Sequence, residues 1–152
     1  MIHEGELMKT IYSYTWLNAI EDGLFMQLSG PGYQGDEWIP DMVKEVGITV
    51  PVAMTAAVSS KCVAPVEGEG EQLAPCQDIK GRLWDVLYML TVAARRHRTP
   101  SEMRFKVWIV PNIPEGSDQT PNPKEVKLCA RLDAMSPEDP QPVMTIYFPE
   151  ER

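Results

Sequence analysis

Apolar positions in this chain follow two periods, helical in the middle and alternating toward the C-terminus. Leu83, Leu87, Leu90 and Ala94 recur at helical spacing, flanked by Trp84, Tyr88 and Thr91. The stretch GRLWDVLYMLTVAARRHR, residues 81–98, therefore predicts a central amphipathic helix whose wide apolar stripe is buried. Pro100 stops it. Beyond that proline the period falls to two. MRFKVWIV sets Met103, Phe105, Val107 and Ile109 against Arg104, Lys106 and Trp108. EVKLCARLD sets Val126, Leu128, Ala130 and Leu132 against Lys127, Cys129 and Arg131, and VMTIYF sets Met144, Ile146 and Phe148 against Thr145 and Tyr147. Three such runs joined by turn-rich loops predict an antiparallel meander.

Upstream, Thr15 is a candidate N-cap for a short helix in which Trp16, Ala19 and Ile20 share a face, with Gly23 closing it. LFMQLS then reads as a short strand before the loop GPGYQG. A second helix begins near Pro40, turns Met42, Val43 and Val46 inward and ends at Gly47. VPVAMTAAVSSKCV, opened by Pro51, predicts a third. The acidic, glycine-rich stretch 64–78 has little apolar surface and predicts a flexible loop. The expectation is one α+β domain over residues 1–152: a three-stranded antiparallel C-terminal sheet packed on the central amphipathic helix, with short N-terminal helices.

Composition narrows the chemistry. With 152 residues and 43% hydrophobic content, the chain supports one core. The apolar run 83–94 is interrupted by Asp85 and falls short of the roughly 20 residues that a bilayer needs, so no membrane partner is expected. MIHEGELMKTIYSY lacks an export-type apolar segment, which predicts a cytoplasmic location. Cys62, Cys76 and Cys129 have no paired spacing and read as reduced thiols. With only His3 and His97 besides, they form neither a zinc set nor a cysteine–histidine pair. A phosphate-binding GxxxxGK[ST] loop is missing, and GPGYQG lacks a dinucleotide-binding context. No catalytic residue, cofactor or metal is expected. Asp85, three positions after Arg82, reads as a local ion pair or an exposed group.

Charge is unevenly distributed. The net charge is −8, and residues 1–80 carry four Lys/Arg against twelve Asp/Glu, whereas residues 81–152 carry ten of each. Two surfaces become candidates for binding. Asp36, Glu37 and Asp41 could cover a basic groove on a partner. Arg104, Lys106, Trp108, Lys127 and Arg131 fall on one side of two strands, and a basic face with an aromatic suits single-stranded nucleic acid. Arg96 and Arg98, with Arg95 and His97, complement the negative end of the helix dipole and join that face only if the fold brings them to it.

The segments YSYTWLNAIEDGLF, VPVAMTAAVSSKCV, GRLWDVLYML, RFKVWIV and VMTIYFPEE, in this order, resemble a family of small "plasmid-related" proteins of uncharacterised function, carried on bacterial plasmids, integrative elements and phages. GRLWDVLYML is the most specific of them; Trp16 departs from the family pattern of a charged residue there. The resemblance implies a cytoplasmic accessory factor and no chemistry. The expected function is a non-enzymatic protein that binds and occludes a host protein, as an anti-defence factor (anti-CRISPR or anti-restriction) or a regulator. Alternatives are a single-stranded nucleic-acid-binding protein using the basic sheet face, and a small enzyme of unknown reaction.

Overall fold

The computed structural model describes residues 15–96 and 102–151. Helix α1 (Trp16–Glu21) starts as the sequence predicts. The Thr15 hydroxyl accepts from the Asn18 backbone N–H, and the Asn18 side chain accepts from the Thr15 N–H, a reciprocal cap. Gly23, at φ +79°, turns the chain into β1 (Phe25–Gln27). Helix α2 (Trp38–Glu45) buries Val43, and Gly47 at φ +96° follows it.

The predicted third helix is shorter than expected, because its first half is a strand. β2 (Val52–Thr55) is buried on both faces, between β1, to which it is antiparallel, and β7 (Pro142–Tyr147), to which it is parallel. A run without a polar face fits a central strand as well as a helix, and here sheet pairing decides. Helical geometry begins only at Ala56. Thr55 accepts from the Val58 N–H as the cap of α3 (Ala56–Val58), which widens into a π turn over Ser59–Val63.

The acidic stretch after the π turn contains β3 (Glu71–Gln72), which pairs with β5 (Ile113–Pro114) in a two-stranded ribbon. The central helix, α4, spans Ile79–Arg96 and buries Leu83, Val86, Leu87, Leu90 and Ala93. β4 (Glu102–Ile109), β6 (Lys124–Ala134) and β7 form the expected antiparallel meander. The expectation of three strands is corrected: the sheet has five, in the order β1-β2-β7-β6-β4, and is mixed.

One face of this sheet carries Val52, Met54, Phe105, Leu128 and Ile146 into the main core against α2 and α4. Among the described residues, the opposite, outer face is covered at only one end. There α1 sets Trp16 against Ala53, Val143 and Met135 in a second, smaller cluster. Among the described residues, no helix is long and apolar enough to cross a membrane.

Candidate binding face

The alternation read from the sequence places its basic residues as expected. Along β4, Met103, Phe105, Val107 and Ile109 are buried while Arg104, Lys106 and Trp108 are exposed. Strand register then lines up β6. Arg104 lies opposite Cys129, Lys106 opposite Lys127, Trp108 opposite Glu125 and Arg131 opposite Glu102. Arg104, Lys106, Lys127, Arg131 and Trp108 therefore share the outer face; Arg131 borders the hollow beside Trp16 of α1, and the other four lie where the described residues leave the face open. Trp108 is 63% exposed, which is far more than a tryptophan needed for packing would be.

Ion pairs neutralise only part of this charge. Lys106 reaches Glu125 at 3.6 Å, and Arg131 pairs with Asp133 at 2.8 Å while its guanidinium lies 5.5 Å from the Tyr147 ring centroid. Among the described residues, Arg104 and Lys127 form no ion pair. Lys106 and Lys127 face each other directly across the strands, an arrangement that costs stability. Cys129 is buried beneath the face; burial pushes its thiol upward, with nearby Arg104 partly offsetting the effect. Beside it, Tyr147 is also shifted upward, first by burial and then by Cys129. The Glu125 contribution was legible from its place in the alternation with Lys127, Cys129 and Arg131.

The other candidates lie elsewhere. Asp36, Glu37 and Asp41 are exposed around the start of α2, on the helical layer, so the sheet separates them from the basic face. Arg96 is exposed in the last turn of α4, on that same layer. Arg98 and His97 lie outside the described residues.

The sequence reading of Arg82 is corrected. Rather than pairing with Asp85, it is only 3% exposed and points into the junction between α3 and the strand ends. One Nη donates to Val63 O at 3.1 Å and Asn112 Oδ1 at 2.8 Å; the other donates to Lys61 O at 2.8 Å. Asn112 in turn donates to Ser60 O at 2.8 Å. The π turn presents carbonyls that its own helix leaves unpaired, and a guanidinium with several donors satisfies them. Its signal in the sequence was position: Arg82 lies one turn before Val86 on the line that continues through Leu90 and Ala93. Asp85 is exposed, as one of the two expectations had it, and partial burial raises its carboxyl pKa.

A cavity of about 470 Å³ next to this network is bounded by Lys61, Cys62, Glu71, Asn112, Lys124 and Phe148. Burial pushes the Cys62 thiol up to about 11, with Arg82 and Lys61 partly offsetting it. A thiol of that kind is protonated at neutral pH and offers no ready nucleophile. Among the described residues, no group of three or more His, Cys, Asp or Glu is placed to hold a metal ion.

The basic sheet face is thus the most fully assembled of the candidate surfaces. Compared with protein-family models, curated proteins and solved structures, the chain matches none of them.

Proposed function

We propose that this chain is a non-enzymatic binding protein that occludes a protein partner with the open end of its outer sheet face. One observation carries the reading: Arg104, Lys106, Lys127, Arg131 and Trp108 converge on two adjacent strands, with Arg104 and Lys127 unneutralised among the described residues. A cationic face with one large exposed aromatic supports docking against an acidic protein surface. The aromatic supplies contact area, and the charges supply orientation and association rate. In this reading the partner is a host protein, and the chain serves a mobile element in the bacterial cytoplasm as an anti-defence or regulatory factor.

A pull-down from nuclease-treated host lysate, analysed by mass spectrometry, tests it. The expected result is a protein retained by the wild type and lost with the double variant Arg104→Glu, Lys106→Glu. Equal retention by both forms sinks the reading.

Single-stranded nucleic acid is the second reading, favoured by Trp108 standing near Lys106 on the same exposed face. It requires oligonucleotide binding that falls steeply with salt and weakens in Trp108→Ala. The net charge of −8 opposes a polyanion at long range, and it acts in the same sense, more weakly, on an acidic protein surface, whose charge density is lower.

A further inference from the structure

The two edges of the sheet are unlike. β1, at one end, has three residues, too few to template much pairing. β4, at the other, runs for eight, in unbroken register with β6 from Glu102 opposite Arg131 to Ile109 opposite Lys124. Among the described residues, no strand pairs with its free side. Proteins usually blunt such an edge with a proline, a bulge, a short strand or charged side chains, and of these β4 has only the charges, which repel a like-charged strand and admit an oppositely charged one. β4 has no proline, and its register has no bulge.

The free side also has a socket. A cavity of about 240 Å³ lies where α4 flanks β4, lined by Asp85, Tyr88, Met89, Lys106, Val107 and Trp108. No residue of β6 lines it, which puts it on the unpaired side. Tyr88 is 46% exposed and stacks on Trp84, with ring centroids 6.2 Å apart. An added strand would therefore meet Tyr88, Met89 and the Asp85 carboxylate on the helix side, where apolar residues fit and acidic ones do not, and Arg104 and Lys106 on the outer side.

We propose that the β4 edge takes up an extended segment of an acidic partner by strand addition, and that the segment alternates acidic and apolar residues. The inference deepens the function proposed above and rests on it. Alternation follows from strand geometry, since successive side chains point to opposite faces. The acidic residues stand opposite Arg104 and Lys106, and the apolar ones cover Tyr88, Met89 and the socket. Charge favours such a segment over a second copy of this chain. Antiparallel self-pairing centred on Phe105 sets Arg104 opposite Lys106 twice, and pairing centred on Arg104 sets Glu102 opposite Lys106 but keeps Arg104 opposite itself, whereas an acidic segment meets both cations with carboxylates.

A nine-residue peptide alternating Glu and Val, labelled with a fluorophore, tests this by anisotropy at low salt. The peptide is expected to bind the full chain, while its Lys/Val counterpart does not. N-methylating alternate peptide nitrogens along one backbone edge should weaken binding by about tenfold or more, and methylating the other edge should not, because only one edge faces β4. Arg104→Glu with Lys106→Glu should weaken it by about tenfold, with circular dichroism unchanged and Tm within about 5 °C, since the reversal exchanges the Lys106–Glu125 pair for one with Lys127. Equal binding by both methylated forms overturns strand addition and leaves the basic-face reading standing. Failure of the Glu/Val peptide, together with a pull-down indifferent to the charge reversal, overturns both. A dT oligonucleotide that displaces the peptide and binds more tightly assigns the face to nucleic acid instead. A dimer in sedimentation that is dispersed by the peptide assigns the edge to a second copy.

Discussion

Arg82 and Arg104 are the same residue type in opposite circumstances, and the regions around them divide the molecule's work. Around Arg82 the guanidinium is buried, and both Nη atoms are committed to carbonyls of the π turn and to Asn112. Around Arg104 the cations stand in solvent on a flat sheet face, and Arg104 and Lys127 lack ion-pair partners among the described residues. A buried cation with satisfied neighbours locks a junction, since removing it leaves buried acceptors unpaired. Exposed, unpaired cations add little to stability and remain free to meet a partner. Position relative to the apolar stripe, rather than charge, separates the two roles.

The strongest way to break this contrast is Arg82→Met. It leaves the carbonyls of Lys61 and Val63 and the Asn112 side chain without a donor, and a loss of about 3–5 kcal/mol in urea unfolding is expected. A loss under about 1 kcal/mol would place Arg82 with the surface cations. The thiols give the next largest difference. With Cys62 held at about 11, its thiolate fraction at pH 8 is about a hundredfold below that of an ordinary thiol. Exposed Cys76 should react first with a disulfide reagent, and peptide mapping of the labelled protein should find Cys62 unlabelled until the protein is unfolded.

Smaller effects sharpen the picture. Asn112→Ala removes one acceptor for Arg82 and the donor to Ser60, and should cost about 1–2 kcal/mol by chemical denaturation. On the open face the sign reverses. Lys127→Thr relieves the opposition to Lys106 and should raise stability by about 0.2–1 kcal/mol, visible as a higher urea midpoint at low salt. Trp108→Ala should shift stability by no more than about 0.5 kcal/mol while weakening peptide binding several-fold. A large loss of stability there would mean that Trp108 serves packing.

Much of this is legible in the sequence alone. The β4 alternation located both its core face and its basic face, because a two-residue period needs only one buried side to become visible. The α1 cap was legible because Thr15 and Asn18 make it locally. VAMT was not, since a strand buried on both faces carries no alternation, and its pairing with β7 joins residues about ninety positions apart. Arg82 was misread because the sequence shows its neighbours along the helix but not the π turn that comes to meet it.

Local pattern by itself determined the long helix, the three C-terminal strands and the side of β4 on which the charges lie. Only the tertiary structure decided that β2 joins the sheet in parallel with β7, that α1 covers one end of the outer face, and that β4 stands at an edge with a socket beside it. The physical reason is range. Periodicity and capping are written within a few residues, whereas coverage, strand order and open edges depend on which distant segments arrive to compete for the same surface.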